Sequence, residues 1–306
     1  MPSPSGEFAF INWLRSRTAA DPRVLLGPGD DTAILQLTPN APCLITTDML
    51  LEGSCFRLAE AGPRQVGRKA MAVNLSDMAA MAGRPVAAVV AVGLPRTGGR
   101  ALEELYLGLR DVADVFATAI AGGDTNSWDG PLVIAVTLLG EATPRGAVQR
   151  SGARPGDWLF VTGPLGGSIL VRHLSFTPRV REALELHELV DLHAMIDISD
   201  GLSADVNHLC EESRCGAVLR AEDIPVHDDA HQLHDGLSAL QHALADGEDF
   251  ELAFAVSPED GQRLQSQPIR GIRLSHIGEF VEQGLWLEEK GQRRALEPAG
   301  YVHTLQ

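Results

Sequence analysis

Short apolar runs alternate along this chain with longer stretches whose apolar positions recur three and four residues apart, the pattern of strands interleaved with amphipathic helices. Cys43 to Thr47 is a β-branched run that reads as a strand and delivers Asp48 at its C-terminal end. From Pro63 to Met81 the spacing of Val66, Ala70, Val73 and Met81 predicts a helix, closed by Gly83 and Pro85. Val86 to Leu94 is almost entirely Val and Ala and reads as a buried strand. Leu102 to Ile120 reads as a helix and Leu132 to Leu139 as another strand. Between Thr143 and Gly156 the character changes, with Pro144, Gly146, Gly152, Pro155 and Gly156 crowded among Arg145, Arg150 and Arg154. That stretch divides the chain into domains of residues 1–146 and 147–306. The second half predicts a strand at 158–162 and helices at 179–192 and 202–212, then strands at 250–256, 272–277 and 285–287. A weakly amphipathic helix at 7–17 opens the chain. The fold class is α/β (α+β) in two domains.

Acidic motifs sit beside these apolar runs, where strands and helices end. They are Gly29-Asp30-Asp31, Thr46-Thr47-Asp48, Asn74-Leu75-Ser76-Asp77, Gly122-Gly123-Asp124-Thr125, Asp197-Ile198-Ser199-Asp200-Gly201 and Gly247-Glu248-Asp249. Taken singly, each has an ordinary structural reading. Gly122 can close a helix, Ser199 or Asp200 can cap one, and Asp30 can stabilise a turn. Together they supply carboxylates and hydroxyls from distant segments, the hard oxygen donors that Mg²⁺ and phosphates require. That chemistry is phosphoryl transfer.

Composition narrows the class further. The chain has 306 residues, 44% hydrophobic and 22% charged, and a formal net charge of −16. Such an acidic chain lacks the footprint of a nucleic-acid binder or of a protein drawn to anionic membranes. Its apolar runs are far shorter than the roughly 20 residues of a bilayer span. Lysine occurs only as Lys69 and Lys290, so a phosphate-binding cation is expected to be an arginine. No Gly-x-x-x-x-Gly-Lys-[Ser/Thr] sequence is present, which excludes a P-loop. Cys43, Cys55, Cys210 and Cys215 lack metal-binding spacing, and Cys210 and Cys215, flanking the end of a predicted helix, read as buried free thiols. No His-x-x-x-His pair is expected on a helix, and His227, His231 and His234 read as a solvated face. With no secretion signal evident, a reduced cytoplasmic enzyme is the expectation.

In this order the motifs resemble those of the thiamine-monophosphate kinase family, within the aminoimidazole-ribonucleotide-synthetase-like superfamily. The matching stretches are residues 29–33, 46–48, 69–81, 122–125, 150–157, 197–202 and 247–252. The resemblance implies an N-terminal α/β domain whose sheets pair across a homodimer, followed by a C-terminal α/β domain. It also implies ATP-dependent phosphorylation of thiamine monophosphate to the diphosphate, with Mg²⁺ as cofactor and ATP as co-substrate. By motif, Asp31, Thr46, Thr47, Asp48, Asp77, Asp124, Asp197 and Asp200 resemble the Mg²⁺ ligands. Tyr106, Gly123, Asp124, Arg150 and Ser199 resemble nucleotide contacts. Asp124, Asp200 and Arg150 are the residues expected to carry catalysis, while Glu248 and Tyr301 resemble thiamine-side contacts.

Three positions depart from the family pattern. Cys55 stands where the family has a substrate-contacting His, residues 163–197 look shortened, and the last acidic loop opens Ala245-Asp246-Gly247 without paired glycines. Two alternatives stay open at this point: another ATP-dependent enzyme of the superfamily, or a non-catalytic Mg²⁺-nucleotide-binding regulator.

Overall fold

The computed structural model describes residues 7–17, 20–28, 30–96, 99, 101–267, 269 and 271–301. The chain divides into two compact units, Met1–Met78 with Gly83–Pro144 and Ala79–Ala82 with Arg145–Gln306.

The first unit contains α1 (Glu7–Arg15), β1 (Val24–Leu26), β2 (Ile34–Leu35), β3 (Cys43–Leu51), α2 (Leu58–Ala80), β4 (Arg84–Pro95), α3 (Ala101–Ala113), β5 (Ala119–Trp128) and β6 (Val133–Glu141). Its main sheet has the order β3-β6-β4-β5, which leaves β3 and β5 as opposite edges. Pairs with β6 are antiparallel and β4–β5 is parallel. Gly62, with φ 74°, breaks α2 just ahead of Pro63, so the regular helix begins where the apolar spacing predicts. The two helices touch backbone to backbone at Gly67 and Gly108. A Cβ on Gly67 would lie 2.0 Å from the Leu105 carbonyl oxygen, and one on Gly108 would lie 1.9 Å from that of Arg64.

Two expectations in this unit need correction. Strand β3 continues to Leu51, so Asp48 lies within the strand and not at its end. The helix expected to reach Ile120 stops at Ala113, and Gly122-Gly123-Asp124 is strand, not helix cap. Small residues at 119–123 fit a helix pattern, but parallel pairing with the Val-rich β4 offers their backbone a ladder along one side.

The second unit contains β7 (Trp158–Thr162), α4 (Val180–Leu189), β8 (Ala194–Asp197), α5 (Leu202–Ser213), β9 (Gly216–Arg220), α6 (Ala239–Ala245), β10 (Leu252–Val256), α7 (Pro258–Ser266), β11 (Leu274–Val281), β12 (Leu285–Glu289) and β13 (Gln292–Ala295). Its sheet has the order β13-β12-β9-β11-β7-β10-β8. Leu202, Val206 and Leu209 of α5 are fully buried in one apolar cluster with Leu159, Val161 and Ile196, which is the face their spacing predicts. Helix α6 begins with a capping box between Ser238 and Gln241, and α7 with Ser257 followed by Pro258.

All four cysteines are free; of the pair expected to be buried, Cys210 is and Cys215 is only partly so. No helix among the described residues is long and apolar enough to cross a membrane.

Candidate active site

In the first unit, alternation along β3 sorts the Thr46-Thr47-Asp48 oxygens. Thr46 and Asp48 share the face that bears buried Leu50, and the Thr46 hydroxyl donates to the Asp77 carboxylate on α2. Thr47 points the other way. Its hydroxyl donates to the Val136 carbonyl at 3.2 Å and lies 3.0 Å from the Thr137 hydroxyl. The side chain of Thr47 therefore stands on the opposite face from Thr46, Asp48 and Asp77.

The other edge of the sheet carries a cavity of about 640 Å³. Asp31, Tyr106, Gly123, Asp124 and residues of α1 line it. Gly123 is there for closeness: a Cβ would sit 2.0 Å from the Val90 carbonyl oxygen. Tyr106 is buried beneath α1, edge-on to Trp13 at 5.6 Å, and Trp13 in turn stacks on Phe10. Asp30 accepts the Asp31 amide at 2.9 Å; Gly29 lies outside the described residues. The β3 and β5 edges are three strand spacings, about 14 Å, apart. One copy of the sheet thus does not bring Asp48 to Asp124.

In the second unit the turn between β8 and α5 gathers most of the expected residues. Asp197 ends β8, and Ser199 and Asp200 follow in the turn. The Glu248 amide donates to the Ser199 carbonyl at 2.7 Å and the Tyr301 amide to that of Asp200 at 3.0 Å. Glu248 adopts φ 56°, a left-handed conformation uncommon away from glycine, and its carboxylate lies 3.0 Å from Nδ1 of His173. Arg150 is placed elsewhere within this unit. Its carbonyl accepts from Ser213 at the C-terminal end of α5, about 18 Å of helix from the Asp200 turn.

Asp205 and His208 were missed by sequence reasoning, and Asp249 was quoted in a motif without a role. Oδ2 of Asp205 accepts the amides of Ser199, Asp200 and Gly201, each at 3.1 Å. Burial, then the charges of Asp197 and Asp200, push the Asp205 carboxyl up to about 8 against those amide bonds. Ligand atoms of Asp200, Asp205 and His208 lie within 4.8 Å of one another, so a histidine does reach the acidic cluster. The available signal was the predicted helix start at 202, which puts Asp205 in a first turn where anions are favoured. Asp249 turns inward. It accepts from the Gly166 amide and pairs with Arg172 at 2.6 Å, and burial pushes it up to about 7. These donor groups are oxygen-rich and crowded with like charge, which a hard divalent cation would offset.

Comparison with known proteins agrees with this division into parts. The AIR synthase related protein N-terminal domain matches residues 29–142 and the corresponding C-terminal domain matches residues 154–285. A thiamine-monophosphate kinase from Rhodopirellula baltica is 40% identical over 97% of both chains. This chain belongs to the thiamine-monophosphate kinase family. The crystal structure of the Stenotrophomonas maltophilia thiamine-monophosphate kinase superposes with a TM-score of 0.80 at 32% identity, covering 94% of this chain and 97% of that one. AaThiL complexed with AMPPCP and TMP superposes with a TM-score of 0.76 at 29% identity, covering 98% and 97%.

Proposed function

We propose that this protein transfers the terminal phosphoryl group of ATP to the phosphate of thiamine monophosphate, giving thiamine diphosphate and ADP. The observation that carries the reading is similarity along nearly the whole chain to kinases of that name, one of them solved with an ATP analogue and TMP. The acceptor, a phosphate monoester with a second pKa of about 6, is largely anionic at neutral pH and needs little general-base help. The chief barrier is charge: one unit repulsion at ~4 Å and an effective dielectric of ~20 is about 4 kcal/mol. Asp31, Thr46, Asp48, Asp77, Asp124, Asp197 and Asp200 would hold Mg²⁺, and Thr47 would serve only from the opposite face of β3. Mg²⁺ bound there would supply charge neutralisation and alignment for in-line displacement. Tyr106 and Gly123 shape the nucleotide cavity, Ser199 contacts phosphates, and Asp124 and Asp200 belong to the catalytic set. Arg150 is kept with them as a phosphate contact by motif alone, since its backbone lies at the far end of α5 from Asp200. Glu248, Tyr301 and Cys55 face thiamine monophosphate. Incubation with ATP, Mg²⁺ and thiamine monophosphate should yield thiamine diphosphate by chromatography; absence of product across neutral and alkaline pH would defeat the reading.

The working form is a homodimer built on the first unit, which serves as its ATP-, Mg²⁺- and dimer-forming domain. Ile45 and Met49 leave 66% and 60% of their surface exposed on the sheet face away from α2. A second copy laid on that face would cover them and supply a second set of sheet edges, uniting carboxylates that a single copy holds on opposite edges. Ile45→Asp with Met49→Asp should sediment as monomer and lose turnover; a variant that stays dimeric and active rules this face out.

Cys55 lies at intermediate depth, its sulfur 3.5 Å from the Leu51 amide, while buried Lys69 donates to its carbonyl at 2.8 Å. Cys55→Ala is expected to raise KM for thiamine monophosphate roughly tenfold with kcat little changed, the signature of lost uniform binding. An unchanged KM removes Cys55 from the pocket.

A further inference from the structure

The peptide units of the β8–α5 turn are each held at both ends. On one side, Oδ2 of Asp205 accepts the amides of Ser199, Asp200 and Gly201. On the other, the carbonyls of Ile198, Ser199 and Asp200 accept the amides of Phe250, Glu248 and Tyr301 at 2.8, 2.7 and 3.0 Å. These are the same three peptide units. A trans peptide is planar with its N–H and C=O pointing in opposite directions, so fixing one end aims the other. Each unit therefore links the Asp205 oxygen to one backbone amide of the facing segments. Ser203 reinforces the connection: its hydroxyl donates to the Ala299 carbonyl at 2.8 Å and accepts the Ala299 amide at 3.0 Å, which ties the segment bearing Tyr301 to α5.

We propose that Asp205 is a positioning residue that sets the metal-side carboxylates Asp197 and Asp200 and, through the three peptide units, the substrate-side residues Glu248 and Tyr301. The proposal rests on the kinase reading for its catalytic consequence, but its physical content is independent of that reading. Asp205 is 2% exposed, so its oxygen is held away from bulk solvent. Removing the oxygen leaves three turn amides, that of Gly201 buried and those of Ser199 and Asp200 partly so, without their partner, and the turn relaxes to find others. Both sides of the site then loosen together. A role confined to helix α5 would loosen only one.

The test compares Asp205→Asn, which keeps an acceptor oxygen at the same reach, with Asp205→Leu, which keeps the volume and removes it. Asp205→Leu is expected to raise both KM for thiamine monophosphate and the Mg²⁺ concentration for half-maximal rate by about tenfold or more, equivalent to 1.4 kcal/mol each. Asp205→Asn should stay within about threefold of the parent on both counts. Amide hydrogen exchange supplies the readout that needs no activity. Asp205→Leu should lose protection at residues 199–201 and also at 248–250 and 301. If Asp205→Leu does not fold, Asp205→Ser takes its place with the same expectations. Loss of protection at 199–201 alone, with both kinetic constants unchanged, overturns the proposal. So does an Asp205→Asn variant as impaired as Asp205→Leu, since that assigns the carboxylate to metal ligation. A parent protein without turnover overturns the kinase reading, and the exchange experiment then still decides the role of Asp205.

Discussion

Replacing Asp124 with Ala is expected to lower kcat about a thousandfold while the protein stays folded, and Asp48→Ala should do the same. Asp124 is exposed on the edge strand β5, so truncation opens no hole in the core and should shift stability by no more than roughly 0.5 kcal/mol. Its chemical loss is much larger. A carboxylate that anchors one positive charge between two phosphates offsets about 4 kcal/mol of repulsion at ~4 Å and dielectric ~20. At 1.36 kcal/mol per tenfold in rate, that is about three decades. The check is turnover of thiamine monophosphate alongside a thermal melt. Near-parental kcat in both variants would sink the metal assignment, whereas lost activity with a collapsed melt would say nothing about chemistry and would send the test to Asp124→Asn.

The second large effect is structural and falls on the α2–α3 crossing, whose helix α3 lines the cavity at the β5 edge. Gly67→Ala or Gly108→Ala should destabilise the protein by about 2 kcal/mol or more. On an open helix the same change would gain roughly 1 kcal/mol of helix propensity. Here the new Cβ would lie 1.9–2.0 Å from a carbonyl oxygen of the facing helix, where ordinary contact begins near 3.4 Å. The helices must part by more than 1 Å. Overpacking of this kind costs about 1–3 kcal/mol and occasionally more, and a rigid backbone neighbour puts the cost at the upper end. Tyr106 lies two residues before Gly108 on the displaced helix, so KM for ATP should rise as well. Denaturant unfolding checks the first claim and ATP titration the second. Stability equal to the parent's would show that the crossing can yield without cost.

How much of this was legible depended on whether the information was local. The Leu202, Val206 and Leu209 stripe and the strand at 158–162 were readable because a periodic apolar face is written in neighbouring residues. Strands β8, β9 and β13 and helices α6 and α7 were not, since they are short and their apolar faces span only a few residues. The 119–128 strand was misread because its small residues satisfy a helix pattern and its ladder partner β4 lies about 30 residues earlier. At the site, the oxygen-bearing residues could be found as motifs, but their facing could not. Arg150 fits a phosphate contact by motif, yet its backbone lies at the far end of α5 from Asp200.

The amino-acid sequence by itself determined the kind of chemistry and the family, because the identity and order of the acidic motifs are properties of the chain and survive any arrangement. Tertiary structure decided which oxygens share a face, which edge of the sheet each group occupies and which residue holds the Asp200 turn. Strand alternation sends Thr46 and Thr47 to opposite faces once β3 pairs with β6, a register set between segments about 90 residues apart. Asp205 gains its place the same way. Its three amide bonds are local, but they matter because the opposite ends of those peptide units meet residues 248, 250 and 301, a meeting that only folding creates.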